Sequence, residues 1–325
     1  MNYGLHWIDF VILAIYAVAM LALGWYYGRQ QHSTDEYFTG GGRMNPLLIG
    51  VSMFATLFST ISYLTTPGEV LNHGPIVSLM GLLAIPIYYV IVGYLLVPLY
   101  MKHRAMSAYA LLESQLGLAA RTTGAVMFVL LRLMWMSTLI YFASKAMIVM
   151  LDVDDRWLPL VTLGTGAVAV SYSSMGGLRA VVITDLVQFT LLFGGAVLVI
   201  GMVTWDAGGL SWLPTEWNES WDDQPLFDID PTVRVTAVGS VLYSVLWWVC
   251  TAGGDQTAIQ RFMATRDATA ARRSFLVNAI AGGAVSILLA LLGFALLAYY
   301  QADASRLPIG KTIASHADEL FPYFI

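Results

Sequence analysis

The sequence is poor in charge and in cysteine, and each shortage excludes a class of protein. Charged residues make up 11% of the 325 residues, whereas soluble globular chains carry about 25%. A single cysteine, Cys250, excludes a disulfide framework and a cysteine-rich metal site. The formal net charge of −5 excludes the basic surface of a nucleic-acid-binding protein.

Apolar residues are abundant, at 58% of the chain and a mean hydropathy of +0.69. A membrane-spanning helix needs about 20 mostly apolar residues, and the sequence contains about eight such segments. They cover residues 7–27, 46–72, 75–100, 122–151, 157–172, 180–205, 233–260 and 274–301. The sequence therefore predicts an all-α polytopic protein of the lipid bilayer.

The distribution of Lys and Arg predicts how the chain is oriented. With the N-terminus outside, the inner loops hold ten of the 16 basic residues, Arg261 among them, and the outer segments hold four. Short cytoplasmic loops carry the excess of positive charge. We therefore predict a multi-pass protein of the cell (inner or plasma) membrane with an extracytoplasmic N-terminus. The polar segment 206–232 is then an external loop.

Four charged residues lie inside predicted spans: Arg132, Lys145, Asp185 and Asp255. Ionisable side chains are costly in a bilayer and are functional candidates by default. Each also has a structural interpretation. Lys145 lies near a span end and can extend to the interface, and Asp185 can cap a helix or be solvated. A carboxylate buried at Asp185 needs a partner, which can be sodium, Arg179, Arg132 or a backbone amide. Arg132 can pair with an acid or a carbonyl, and Asp255 can accept hydrogen bonds from freed backbone amides.

Two predicted spans contain features that interrupt helices. The second has hydroxyl and small residues along residues 55–66, followed by Pro67-Gly68, and the seventh has Cys250-Thr-Ala-Gly-Gly-Asp255. Broken helices at matching places in two repeats point to the ion and substrate site of a transporter. The alternative is close helix packing through small residues. The five histidines have no metal-ligand spacing, no catalytic cluster is present, and we expect no enzyme activity.

The stretch Tyr-Ser-Ser-Met-Gly-Gly-Leu-Arg-Ala-Val-Val-Ile-Thr-Asp-Leu-Val-Gln, residues 172–188, resembles the signature of the sodium/solute symporter family. Three further stretches, 35–43, 55–69 and 255–261, resemble the family's first inner loop, its first core helix and the end of its sixth core helix. The pattern Ser59 with Pro67-x-Glu69 is similar to that of the iodide and monocarboxylate branch.

The resemblance implies a leucine-transporter-type bundle of two inverted five-helix repeats. Residues 1–45 would form an extra first helix and an inner loop, and 46–205 the first repeat. The external loop 206–232 would precede the start of the second repeat at 233–325. The chain is thus expected to match the N-terminal part of a longer transporter.

The resemblance also implies site residues. The backbone carbonyls of Ala55 and Phe58 would contribute to the principal sodium site, and Asp185 to a second sodium position. The positions that bind substrate in relatives are occupied in this chain by Leu57, Ser59, Ser62 and Thr251. Leu57 and Thr251 depart from the polar and aromatic residues of sugar-binding members, which argues against a sugar bound in that manner.

These expectations favour a transporter that imports a small polar or anionic solute by alternating access. Sodium is the coupling ion, and no other cofactor or metal is expected. The partners are a small-molecule solute, sodium and the bilayer, with no nucleic acid. The alternative is a transporter-like membrane sensor that belongs to a longer signalling protein.

Overall fold

A computed structural model describes residues 7–103, 107–151, 153–219, 221–230, 232–307 and 310–324. Regular structure in this part of the chain is helical, as predicted. The α-helices are α1 (Trp7–Gly28), α2 (Thr34–Thr39), α3 (Pro46–Leu57), α4 (Thr60–His73), α5 (Ile76–Val90), α6 (Val97–His103), α7 (Ala108–Leu151), α8 (Leu158–Asp206), α9 (Ala237–Gly254), α10 (Gln256–Met263), α11 (Ala268–Ala302) and α12 (Ile313–Phe324). A π-helical segment, Ile91–Leu96, joins α5 to α6.

Within the described residues, six helical segments are long and apolar enough to cross a membrane, or up to seven if α3 and α4 form one broken span. Most of the large apolar side chains between residues 116 and 136 of α7 are exposed, and none of its most apolar window is buried. A row of exposed Leu, Met and Val side chains is unfavourable in water and is typical of a helix that crosses a membrane. The chain is a multi-pass membrane protein.

The longest helix, α8, is divided at Gly177, where φ is +56° and the helical conformation is lost. A straight helix of 49 residues would extend about 74 Å, more than twice the thickness of the hydrocarbon core. The arms on either side of Gly177 correspond to the predicted spans 157–172 and 180–205. The side-chain amide of Gln188 donates to the hydroxyl of Tyr172 across this division, at 3.2 Å.

The glycine pair of the signature stretch allows backbones to approach closely. A side chain at Gly177 would collide with Gln31 and with the carbonyl of Tyr37, and its positive φ disfavours any other residue. A Cβ atom on Gly24 of α1 would lie 2.7 Å from the carbonyl oxygen of Tyr172. The glycines therefore permit both the bend in α8 and its contact with α1.

The described residues divide into two compact units. The first comprises the described residues within 1–57, 88–189 and 247–280, and the second comprises those within 58–87, 190–246 and 281–325. In the first, Ile49 of α3 packs with Leu178 and Val182 of α8 and with Ala264, which follows α10. In the second, Val203 of α8 packs with Trp212 and with Ala295 of α11. The division into inverted repeats at 46–205 and 233–325 stays a prediction.

In the second unit, the polar loop 206–232 is attached to the end of α4. The indole of Trp221 donates to the carbonyl of Leu71 at 3.3 Å, and the amide of Gln224 donates to the carbonyl of His73 at 2.7 Å. The last carbonyls of a helix lack helical partners, so these side chains satisfy groups that α4 leaves open. Residues 220 and 231 of the loop lie outside the described residues.

Four charged or titratable side chains reinforce this attachment, and we call them the loop clamp: Glu69, His73, Asp222 and Arg234. Arg234 pairs with Glu69 at 2.7 Å and with Asp222 at 3.1 Å. His73 Nδ1 lies 2.8 Å from the same Asp222 oxygen. The clamp joins the middle of the loop, at Asp222, and the segment that follows the loop, at Arg234, to α4.

The break in the seventh span lies within the predicted stretch and is shorter than expected. Residues Cys250–Gly254 are helical and complete α9, and the interruption is confined to Asp255. Asp255 has an extended conformation and caps α10, because its side chain accepts a hydrogen bond from the backbone N–H of Thr257. Two adjacent glycines remain compatible with helix inside a packed bundle, whereas Asp is a favoured N-cap residue. The carboxylate, rather than the glycine pair, marks the break.

Candidate functional site

The second predicted span is interrupted where expected. Helix α3 ends at Leu57, and α4 begins at Thr60 after the non-helical residues Phe58 and Ser59. The last four carbonyls of α3 have no N–H partner within the helix, and that of Ala55 is one of them. This is the backbone arrangement that lets a carbonyl bind a cation. The roles of Ala55 and Phe58 as sodium ligands stay predictions.

Ser59 and Ser62 lie together at the start of α4. Ser59 caps the helix, since its hydroxyl oxygen accepts from the backbone N–H of Ser62 at 3.0 Å, and the two hydroxyl oxygens are also 3.0 Å apart. Leu57 is the last residue of α3. The hydroxyl of Thr251 donates to the carbonyl of Trp247 within α9 at 2.8 Å. The substrate-binding roles of these four residues stay predictions.

Asp185 lies in a buried cluster of the first unit. Its residue surface is 7% exposed, and that of Ser52 is 0% exposed. Ser52 Oγ donates to Asp185 Oδ2 at 2.5 Å, and Thr56 Oγ1 donates to the same oxygen at 3.4 Å. Ser52 and Thr56 are four residues apart on α3, and this spacing places both hydroxyls on one face of the helix. Asp185 therefore accepts hydrogen bonds from two hydroxyl groups of α3.

The partner of opposite charge is Arg261 of α10, which is 4% exposed. Its NH2 nitrogen lies 3.3 Å from Asp185 Oδ2 and also donates to Thr56, and its Nε donates to Ser52 at 3.0 Å. We name these four residues the buried ion cluster: Ser52, Thr56, Asp185 and Arg261. Each hydroxyl accepts from the guanidinium and donates to the carboxylate. The cluster is therefore internally neutral and closely hydrogen-bonded.

A second ion pair adjoins the first. Arg132 of α7 pairs with Asp255, and its NH2 nitrogen donates to Thr257 Oγ1 at 3.2 Å. The Thr257 hydroxyl donates to Asp255 Oδ1 at 2.6 Å, while its carbonyl accepts from Arg261 at 3.1 Å. Thr257 thus connects the two pairs. The structural interpretation of Arg132, as the partner of an acid in the bundle, is confirmed.

Sequence reasoning missed the partner of Asp185. Arg261 was counted as an inner-loop charge, and Arg179 and Arg132 were the basic residues expected near Asp185. Arg179 instead donates to the carbonyl of Gly40 at 3.4 Å. Without Arg261, the inner loops still hold nine basic residues against four outside. One signal was present: Arg261 lies six residues after the break at Asp255, within a helix already expected to be near a site.

Lys145 differs from the other charged residues of the spans. Its ammonium group lies 2.7 Å from one oxygen of Asp155 and 2.8 Å from the other, and both side chains are exposed. This geometry fits a lysine that extends along its helix to the interface. Among the described residues, no group of three His, Cys, Asp or Glu side chains could hold a metal ion.

Most of the chain matches a known protein family. The model of the sodium:solute symporter family matches residues 37–316. The matched region includes the α3–α4 break, the buried ion cluster and the loop clamp.

Curated relatives with similar sequences are transporters. The sodium/sialic acid symporter SiaT of Proteus mirabilis is 29% identical over 93% of this chain and 61% of its own length. The human sodium-coupled monocarboxylate transporter 1 is 28% identical over 98% of the chain and 52% of its own length. The human sodium/iodide cotransporter is 26% identical over 98% of this chain and 49% of its own length. The chain therefore spans about half to three-fifths of the length of these relatives.

A solved structure of a Na⁺-coupled sialic acid symporter, in a substrate-bound outward-open state with a novel Na⁺ site, has a similar fold. Its TM-score is 0.83 at 26% identity, over 98% of this chain and 65% of that chain. This likeness confirms the predicted leucine-transporter-type fold.

Proposed function

The chain belongs to the sodium:solute symporter family, and from that membership we propose that the whole protein is a sodium-coupled secondary transporter. It imports a small polar or anionic solute by alternating access. The observation that carries the proposal is the interruption of an apolar helix at Phe58 and Ser59. An interrupted helix offers open carbonyls to a cation, and an uninterrupted one has none in its interior.

The chemistry of the relatives supports an anionic solute. Sialic acid, monocarboxylates and iodide, which appear in the names of three relatives, are all anions. A cotransported sodium ion offsets the negative charge of such a solute and so lowers the cost of moving it into the bilayer interior. The solute is thus proposed to be a small anion.

We propose two positions for sodium in the first unit. One is beside the carbonyl of Ala55, at the end of α3. The other is beside the carboxylate of Asp185. Sodium bound there would stabilise the state that binds solute, and each ligand would raise the affinity of the other by the same factor.

Uptake into proteoliposomes tests the function. The protein is reconstituted, and labelled sialic acid, lactate and iodide are offered with an inward sodium gradient, with equal sodium on both sides, or with potassium in place of sodium. We expect accumulation above equilibrium for one of these anions, and only with the sodium gradient. Equal uptake under all three conditions would indicate passive flux, and no uptake of any of them would favour the sensor.

The orientation is a separate proposal, in which the N-terminus and the external loop are extracytoplasmic. Thr215 is exposed in the loop, and Cys250 is the free cysteine that must first be replaced. In a Cys250→Ser background, Thr215→Cys is expected to react with an impermeant thiol reagent in intact cells, while Arg266→Cys is expected to be protected. The reverse pattern would invert the topology.

A further inference from the structure

Three side-chain oxygens of the first unit surround the guanidinium group of Arg261. They are Ser52 Oγ, Thr56 Oγ1 and Asp185 Oδ2, and each lies within hydrogen-bonding distance of Arg261. Both hydroxyls also donate to the carboxylate. The three oxygens therefore converge on one position, which the guanidinium group of Arg261 occupies.

The composition of this oxygen set matches a small monovalent cation. Carboxylate and hydroxyl oxygens are hard ligands, which suit cations such as sodium better than softer metals. The set carries one negative charge, so a single positive charge neutralises it. A divalent cation in a buried site would need further carboxylates, and Asp185 is the only one in the set.

Arg261 and a metal cation cannot both occupy this set at low cost. With Arg261 in place the cluster is neutral, and a second positive charge would remain uncompensated in a buried environment. Such an uncompensated buried charge is strongly unfavourable even after relaxation. Binding of a cation at Asp185 therefore requires the guanidinium to withdraw.

We infer that Arg261 is an internal competitor of sodium: it occupies the oxygens of Ser52, Thr56 and Asp185, and sodium binds Asp185 only when it withdraws. This inference rests on the proposed function and deepens it, because it assigns a regulator to the proposed sodium position.

The structure provides a place for the withdrawn side chain. Arg261 already donates to the carbonyl of Thr257, one turn earlier on α10. Asp255, which caps the same helix, attracts Arg261, and Arg132, which pairs with Asp255, repels it. Helix α10 has eight residues and is separated from α9 by the break at Asp255. Because Arg261 lies on α10, movement of its side chain is linked to the position of this short helix. Sodium binding would thereby bias α10, and the position of α10 would set the sodium affinity by the same factor.

Direct binding of ²²Na⁺ to the purified protein in detergent tests the inference, with choline chloride holding the ionic strength constant. Arg261→Gln removes the competing charge and is expected to tighten sodium binding about tenfold. Arg261→Lys keeps the charge but cannot contact all three oxygens as the guanidinium does. It is expected to tighten binding about threefold.

Arg234→Gln and Arg234→Lys are the matched controls, because they disturb an arginine–carboxylate pair of the second unit and leave the Asp185 oxygens and Asp255 untouched. We expect their sodium affinity to stay within about twofold of wild type. An Arg261→Gln protein that melts like wild type but binds sodium equally or more weakly would overturn the inference. If Arg261→Gln does not fold, the same comparison with Arg261→Lys decides.

The proposed function can fail separately. A wild type that shows sodium-driven uptake, together with an Arg261 variant whose sodium affinity has not risen, contradicts only the competition. A wild type without sodium-driven uptake or saturable sodium binding contradicts the proposed function. A gain of sodium binding in Arg261→Gln would still support competition at this cluster.

Discussion

Arg261 and Arg234 each pair with a carboxylate, but in surroundings of different accessibility. The side chain of Arg261 is 5% exposed, and that of its partner Asp185 is 10% exposed. The side chain of Arg234 is 42% exposed, and those of its partners Glu69 and Asp222 are 26% and 40% exposed. A buried charge that loses its partner is strongly destabilising, whereas an exposed ion pair contributes little to stability. The two pairs therefore predict different consequences for the same kind of substitution.

The largest effect is expected from Asp185→Asn, which leaves Arg261 buried without a negative charge. We expect the free energy of unfolding to fall by about 3 to 5 kcal/mol, as measured by SDS titration in mixed micelles. The double variant Asp185→Asn/Arg261→Gln removes both charges and should recover most of this loss. Asp267→Asn breaks the exposed pair with Arg266 and should cost less than about 0.5 kcal/mol. Equal losses for the single and double variants would contradict a charge-pair origin.

Two substitutions of Asp255 can distinguish its ion pair with Arg132 from its role as the N-cap of α10. Asp255→Asn removes the charge that pairs with Arg132 but keeps an oxygen that can cap α10. Asp255→Ala removes both, and loss of an N-cap costs about 1 kcal/mol. In the same SDS titration, the Ala variant should therefore be less stable than the Asn variant by about that amount. Identical stabilities would show that the cap contributes nothing measurable.

At the loop clamp, Arg234→Gln should lower stability by less than about 1 kcal/mol, because the pairs are exposed. The local effect should be larger. Since Arg234 joins the loop to α4, we expect faster amide hydrogen exchange across residues 221–230 and at the end of α4. Arg306→Gln, which breaks the pair with Asp206 in the same unit, is the matched control and should leave exchange in both segments unchanged. Unchanged exchange in Arg234→Gln would mean that Trp221 and Gln224 hold the loop alone.

The smallest effect is expected at Asp318, on α12. Burial, together with the carboxylates of Glu69 and Glu319, raises the pKa of Asp318. An acid whose folded-state pKa is raised loses stability as pH rises from its ordinary value through the folded one. Asp318→Asn should thus raise the melting temperature at pH 7 by a degree or two, and by less at pH 4. A gain that is larger at pH 4 would contradict the sign of this shift.

Two interruptions of helices could be predicted from the sequence. The break at Phe58 and Ser59 could be predicted, because hydroxyl and small residues inside an apolar segment are a local signal. The bend at Gly177 could be placed near the signature stretch for a similar reason. These features depend on residues that are close in the chain.

The pairing of Asp185 with Arg261 could not be predicted in the same way. The two residues are 76 positions apart, and hydropathy assigned Arg261 to a loop because an arginine normally ends a span. The break in the seventh span was predicted over Cys250–Asp255, and only Asp255 is non-helical, because its side chain caps α10. The cap is a local interaction that the sequence could indicate, whereas the pairing of Asp185 with Arg261 exists only once separate helices pack.

Sodium binding to the charge-neutral double variant tests the central claim most directly. Asp185→Asn/Arg261→Gln removes the carboxylate without leaving a buried charge, so a change in binding cannot be attributed to an unpaired arginine. Two sodium positions are proposed, so if Asp185 is a sodium ligand, a ²²Na⁺ isotherm should show one of them lost or at least about tenfold weaker than in wild type, in protein that melts normally. A well-folded double variant with wild-type sodium stoichiometry and affinity would contradict the account.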